Sequence, residues 1–355
     1  MSDIRSMLVE TANRIMKDYC SKELIMDAEK GIWPDELWNI LEETGMTLIG
    51  IPEEVGGAGG DIGDALTFFK SAGKYAAPMP LAETFIANIL LSSAGLPLID
   101  GPGTIAPVSK EDQLALIQTD DGWLVQGSAK YIPWARHVNR IAVYGKTSAN
   151  ESIVASVGIE QCKIIAGQNL AGEPRDEVYF DSIFIPKESV AMIDDRLEHS
   201  FWNLGTCTRI ALMTGALERV LELTVEYANE RTQFGKPIGK FQAVKQQLAV
   251  MAGEVIASSA ATDFIVEQLN YEQIESETQM AKIQLGEAST TVSQIAHQII
   301  GAMGFTDEHL LHLSTRRLWS WRDEYGTESE HAVKVGELVL QQKPEQLWNL
   351  LTSPK

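Results

Sequence analysis

The sequence predicts a mostly α-helical chain with one β-domain set in its middle. An N-terminal helical domain is expected over residues 1–100, a small and shortened β-barrel or sandwich over 101–190, and a C-terminal four-helix bundle over 195–355. Three observations carry this. Apolar residues recur at helical spacing through the first hundred residues and again from about Asp195 onwards. Between Gly101 and Pro186, short β-type runs are separated by turn signals instead. The long helical segments that follow have short connections, which makes neighbours antiparallel, as a bundle requires.

In the N-terminal part, Met7, Leu8, Ala12, Ile15 and Met16 form one helical stripe, and Leu37, Ile40, Leu41 and Met46 a second. Ile51-Pro-Glu-Glu-Val-Gly-Gly-Ala-Gly-Gly60 interrupts them. It lacks the Gly-Lys-Ser/Thr ending of a phosphate loop, so it reads as a tight surface loop, with Asp61 or Asp64 able to cap the next helix. Leu66, Phe69, Ala72 and Tyr75 give that helix its stripe; Pro78 and Pro80 end it, and a short apolar helix runs from about Leu81 to Ala94. The β-type runs cover 114–117, 123–125, 140–144, 153–154, 163–165 and 178–180. Met213, Ala216, Leu217, Val220, Thr224 and Tyr227 then lead to a corner at Arg231. Phe241, Val244, Leu248, Met251 and Val255 continue beyond it, and Ile283, Ala288, Val292, Ile295 and Ile299 make a third helix ending at Gly301-Ala-Met-Gly304.

At 355 residues, 45% hydrophobic and 22% charged, the chain has the composition of an ordinary globular protein of two or three domains. A net charge of −20 argues against nucleic acid or an anionic membrane as partner, and makes any basic cluster worth following. Cys20, Cys162 and Cys207 are far apart and odd in number, which suits a reducing cytoplasm and gives no metal-ligand spacing. No apolar run in the sequence approaches the roughly 20 residues of a membrane span, so none is expected.

The segment Arg231-Thr-Gln-Phe-Gly-Lys-Pro-Ile-Gly-Lys-Phe-Gln242 holds more than a helix–helix turn needs. A cation ends one helix, Gly235, Pro237 and Gly239 shape the corner, Phe234 and Phe241 flank it, and Gln242 opens the next helix. Arginine can grip two phosphate oxygens at once, and glycine lets backbone approach a ligand. The plainer reading is a helix C-terminus neutralised by Arg231 and followed by a glycine-containing turn.

Taken together, the helical domain, the β-domain and a bundle with an Arg-x-x-Phe-Gly corner resemble the acyl-CoA dehydrogenase family over essentially the whole chain. Ile51-Pro-Glu-Glu-Val-Gly-Gly57 resembles that family's N-terminal loop, Asp121-Gly-Trp-Leu-Val-Gln-Gly127 its central hairpin, and Phe180-Asp-Ser-Ile-Phe-Ile-Pro186 its exit from the β-domain. The most specific matches are Arg231-Thr-Gln-Phe-Gly235 with Phe241-Gln242, and Gln298-Ile-Ile-Gly-Ala-Met-Gly304, where the family usually has glycine in place of Ala302.

The resemblance implies an FAD enzyme that removes two hydrogens from the Cα–Cβ bond of an acyl-CoA. A glutamate takes the α-proton, the flavin takes the β-hydride, and an electron-transfer flavoprotein is the expected acceptor. In the family each FAD spans two subunits. The flavin ring lies on one subunit's β-domain beside that subunit's glutamate, and the ADP half reaches the Arg-x-x-Phe-Gly corner of a neighbour. By resemblance, Arg231 pairs with the pyrophosphate, Phe234 and Gln242 pack and hydrogen-bond around it, and Gln298, Gly301 and Gly304 bring backbone to the cofactor.

The chain departs from the family on the ring side. No counterpart of the ring-cradling Thr-Glu-Pro-x-Ala-Gly-Ser-Asp loop stands between Gly101 and Asp121, and Tyr131-Ile132-Pro133 replaces a Trp-Ile-Thr run whose threonine faces the flavin. Proline offers neither hydroxyl nor N–H. Tyr325 stands where the usual glutamate precedes a Gly-Thr pair, here Gly326-Thr327, and a tyrosine with a pKa near about 10 is a poor base. The family's alternative glutamate position falls near Gly205, and residues 205–209 contain no carboxylate. Glu324 is the remaining candidate base, one place and about 100° of helix away, against a plainer reading as a solvated carboxylate in Arg322-Asp323-Glu324.

A chain with the ADP corner but without cradle or ordinary base resembles one subunit of the α2β2 heterotetrameric members associated with steroid side-chain degradation, in which a paralogous subunit supplies the rest. A bulky acyl-CoA is then the expected substrate. The alternatives are a self-sufficient homotetramer using Glu324 and a non-catalytic scaffold or regulatory paralogue.

Overall fold

The computed structural model describes residues 3–109, 111–112, 114–268, 274–343, 345 and 347. Five helices open the chain: α1 (Asp3–Tyr19), α2 (Lys22–Glu29), α3 (Asp35–Glu43), α4 (Ile62–Lys74) and α5 (Leu81–Ser93). The glycine-rich loop ends where Asp61 and Asp64 form a reciprocal capping box on α4. The same two carboxylates hold Arg5 of α1, each at 2.8 Å, so one local signal also docks two helices.

The β-domain comprises β1 (Gly103–Ala106), β2 (Ala115–Gln118), β3 (Gly122–Pro133), β4 (Arg140–Lys146), β5 (Ser152–Gly158), β6 (Lys163–Ile165), β7 (Arg175–Pro186) and β8 (Val190–Met192). They form one sheet in the order β6-β7-β3-β2-β4-β5-β8, with β1 parallel to β4. The sheet encloses its own core, including Leu116, Val125, Ile141, Val178 and Phe180. Strands β1 and β8 are not foreseen from the sequence: β1 is four residues long and wholly buried, so it shows no alternation, and β8 is three residues long.

The bundle is built from α6 (Asp195–Glu230), α7 (Gln242–Gln268), α8 (Glu275–Ile300) and α10 (Glu328–Leu340), with α9 (Leu311–Trp321) packed on α6. Residues 348–355, expected in the bundle, lie outside the described residues. By length and composition alone, α7 is apolar enough to cross a membrane. It packs here as a bundle helix, burying Met251, Val255, Ser258, Thr262 and Ile265 against its neighbours.

One continuous core joins the N-terminal helices to the bundle, running from Phe68, Phe69 and Phe85 to Met213, Leu217, Leu285 and Val292. Where α4 crosses α6 the backbones touch through glycine. A Cβ at Gly73 would overlap the Leu212 carbonyl, and one at Gly215 would overlap that of Lys70.

Candidate cofactor corner and the base position

The helix α6 ends at Arg231, whose N–H bonds the Tyr227 carbonyl at 2.9 Å and whose own carbonyl accepts from Ile238 N–H at 2.8 Å. Between these bonds the chain makes a two-residue-strand hairpin, β9 (Thr232–Gln233) against β10 (Lys236–Pro237). Phe234 and Gly235 form its tip, both at positive φ (50° and 78°), as a tight turn of this kind demands. This stands Phe234 in solvent, 93% exposed, its ring edge-on to Phe241 at 6.2 Å. Lys236 Nζ lies 4.4 Å from the centre of the Phe241 ring.

No acidic residue occurs between Glu230 and Glu254, while Arg231, Lys236, Lys240 and Lys245 all fall in that interval. None of the four pairs with a carboxylate of the described residues. In a chain of net charge −20 this is a concentrated, unneutralised cationic patch, and it lies at the N-terminus of the 27-residue helix α7. Gln242 is the exposed first residue of that helix.

The second motif arrives at the same end of the bundle. Gln247 Nε2, in the second turn of α7, donates to Gln298 Oε1 in the last turn of α8 at 3.0 Å. Gly301 then ends α8 at φ 74°, ψ −150°, a conformation that disfavours a side chain, and a Cβ there would meet nothing within 4 Å. Gly304 is buried against Leu311, His297 and Ile300. The fold thus brings Arg231, Phe234 and Gln242 to the bundle end that holds Gln298 and Gly301, with Gly304 set beneath the surface.

The ring side is different. Tyr131 is exposed, at φ 58°. The Pro133 carbonyl is taken by the Thr104 hydroxyl at 2.7 Å, and the Trp134 N–H by the Pro174 carbonyl at 3.1 Å. Next to Pro174, Arg175 crosses to the bundle. Its Nε donates to Glu324 Oε1 at 2.8 Å, while Arg209 of α6 donates through Nε to Glu324 Oε2 at 2.5 Å and through Nη2 to Glu83 of α5 at 2.5 Å. Glu173 extends the chain to Trp321, whose indole donates at 3.0 Å, and to Arg317 at 3.4 Å; Arg317 in turn reaches Glu29 of α2 at 3.3 Å.

Glu324 is therefore not a solvated carboxylate. Its side chain is 20% exposed and clamped by two guanidiniums. Burial alone would raise its pKa, but Arg175 and Arg209 outweigh that and hold it below the usual carboxylate range. A carboxylate so stabilised has little drive to take a proton from carbon.

Tyr325, at φ 57°, packs against Trp202 (6.0 Å, edge-on) and beneath the Arg209 guanidinium (5.3 Å). Burial pushes its phenol up, further from use as a base. Its backbone is fixed from α8: Lys282, only 1% exposed, donates Nζ to the carbonyls of Arg322, Glu324 and Gly326 at 2.7, 2.9 and 2.7 Å. Arg175, Arg209 and Lys282 escape the sequence reading. The signal available was charge on apolar faces, since Arg209 sits between Cys207 and Ile210 on a buried stripe and such a charge requires a partner.

A family model for the acyl-CoA dehydrogenase N-terminal domain matches residues 2–95, and one for the C-terminal domain matches residues 202–328. The chain belongs to the acyl-CoA dehydrogenase family. Acyl-CoA dehydrogenase IpdE2 of Mycobacterium tuberculosis is 28% identical over 317 residues, covering 88% of this chain and 90% of that protein. Among solved structures, the ChsE4-ChsE5 complex of M. tuberculosis superposes with a TM-score of 0.87 over 97% of this chain and 99% of the matched one, at 20% identity. PigA with FAD and proline superposes with a TM-score of 0.82 at 19% identity, over 95% and 98% of the two chains. The family is one of flavoprotein oxidoreductases acting on acyl-CoA, and the expected three-part fold is the one observed.

Proposed function

We propose that this chain is a cytoplasmic subunit of a heteromeric, FAD-dependent acyl-CoA dehydrogenase, to which it supplies the ADP half of the flavin site. The observation that carries this reading is the contrast between its two half-sites. The Arg231 corner presents four unpaired cations, an exposed aromatic and a helix N-terminus, a donor set that fits a pyrophosphate. The ring side does not fit an isoalloxazine in the family's manner. Pro133 has no donor to give, Tyr325 replaces the base, and Glu324 is bound by two arginines.

Arg231 would hold the pyrophosphate, with Gln242 and the first N–H groups of α7 donating beside it and Phe234 covering it. Gln298 and Gly301 would lie against the adenosine side. The flavin, when bound, supplies a hydride acceptor; the proton-abstracting carboxylate comes from a paralogous acyl-CoA dehydrogenase subunit in an α2β2 assembly. Three free cysteines suit the cytoplasm. A solved structure of the same fold described as a steroid acyl-CoA dehydrogenase supports a bulky acyl-CoA, of the steroid carboxyl type, as substrate, and one described as an electron transferring flavoprotein supports such a protein as acceptor.

Co-expression tests this. Alone, the chain should purify colourless; with the paralogous subunit it should be yellow and reduce a dye with acyl-CoA. Arg231→Ala should strip the flavin from the complex without dissociating the subunits. A yellow, active chain on its own would establish the homotetramer, and no flavin under either condition would establish the scaffold.

A further inference from the structure

We propose that the ring of Tyr325 is a steric plug that has closed this chain's own acyl site, acting through its bulk and not through its hydroxyl. The proposal rests on the heteromer reading, since a closed site is tolerable only where a partner subunit carries an open one.

By resemblance Tyr325 after α9 stands at the family's usual glutamate position and the alternative position falls near Gly205 on α6, and here Gly205 and Tyr325 face each other. A Cβ at Gly205 would lie well inside van der Waals contact of Cε1, Cδ1 and Cζ of the Tyr325 ring. Neither position has room for a second side chain while the tyrosine is in place. Gly205 lies in mid-helix, where glycine is about 1 kcal/mol worse than alanine, so its presence asks for a steric reason. The Tyr325 ring is that reason.

The hydroxyl has no comparable role. It is buried and makes no hydrogen bond to any described residue, although a buried phenol normally finds a partner. The ring itself is surrounded by Trp202, Gly205 and the face of Arg209.

The ring is also prevented from swinging away. The Tyr325 carbonyl is held by the Thr206 hydroxyl at 3.3 Å and by His331 Nε2 at 3.1 Å. Lys282 gathers the carbonyls on either side of it, and Glu324 pins the preceding residue to Arg175 and Arg209. The segment around Tyr325 is thus held from the β-domain, α6, α8 and α10.

Three measurements test the plug. In the intact complex, Tyr325→Phe should leave turnover and melting temperature unchanged; a tenfold fall in turnover would assign the hydroxyl a chemical role and overturn the proposal. Gly205→Ala should lower the melting temperature in the native background and by no more than a third as much in a Tyr325→Gly background. Equal losses in both backgrounds would show that the ring is not what excludes a side chain at 205. Equilibrium dialysis of the complex against a saturated steroid carboxyl-CoA, without electron acceptor, should count one thioester per pair of subunits, rising to two with Tyr325→Gly. Two in the native complex, or one in both, overturns the plug while leaving the heteromer standing. The heteromer reading itself fails separately, if the chain alone retains flavin and turns over.

Discussion

His331, the buried imidazole of α10, shows how a single residue reads out the tension around Tyr325. Its Nε2 donates to the Tyr325 carbonyl at 3.1 Å, and its Nδ1 is buried without a partner among the described residues. Burial first, and then the charges of Lys282 and Lys334, push its pKa down to about 4, against the pull of Glu330 and of the hydrogen bond. An unfolded histidine titrates near about 6.5. Between those two values the unfolded chain binds a proton that the folded chain refuses, so stability falls as pH falls from 6.5 towards 4. Denaturant midpoints measured across that range should decline, and His331→Gln should flatten the decline; an unchanged slope would remove His331 as its source. None of this is legible in the sequence, where His331 follows a helix cap like any surface residue. Arg231, by contrast, is legible because everything that defines its corner lies within twelve consecutive residues.

At the scale of the element the same distinction holds. The capping box of α4 and the glycine end of α8 are written locally and read directly. The partners of Glu324 are not, because Arg209 and Arg175 lie 115 and 149 residues away in the chain. On the proposed reading, the hairpin β9–β10 serves a cofactor shared with another chain. Its tip residue Phe234 contributes contact with Phe241 and otherwise meets solvent. A surface substitution free of special features usually changes stability by less than about 0.5 kcal/mol. Phe234→Ala should therefore melt like the native chain when purified alone, yet the co-expressed complex should lose flavin on dilution at least tenfold faster. A destabilised isolated chain, with unaltered flavin retention in the complex, would reduce Phe234 to an internal packing residue.

At the scale of the molecule, ion pairs tie the β-domain to both helical parts at one place. Glu83, Arg209, Glu324 and Arg175 run from α5 through α6 into β7. The pKa of Glu324 is lower in the folded protein than in the unfolded chain. Its contribution is thus fully present above the unfolded value, near about 4.3, and is lost as pH falls through the lower folded value. Glu324→Gln leaves two buried guanidiniums short of charge and should lower stability by about 3–5 kcal/mol at pH 7. The same variant should show a shallower loss below pH 4 than the native chain. A melting curve within 1 °C of native would mean that the joint carries no load.

The contact between α4 and α6 sets how the N-terminal helices sit on the bundle, and through them where Glu83 meets Arg209. Helix axes pack about 8–10 Å apart when side chains intervene. At this crossing backbone meets backbone instead: a Cβ at Gly73 would overlap the Leu212 carbonyl and one at Gly215 that of Lys70, so each backbone occupies the space the other's side chain would need. Sequence periodicity hides this, since a glycine inside an apolar stripe reads as a weakness of the helix. On propensity alone Gly215→Ala should stabilise α6 by about 1 kcal/mol. In the folded protein the added methyl overlaps backbone, which cannot rotate out of the way, so the helices must part and open the core around Phe69 and Met213. Overpacking of this kind costs about 1–3 kcal/mol or more, so the sign of the effect reverses. Calorimetry of Gly215→Ala should accordingly show a lower melting temperature in one cooperative transition, because the N-terminal helices and the bundle share a core. A stabilised variant would refute the close crossing; two separate transitions would refute the shared core.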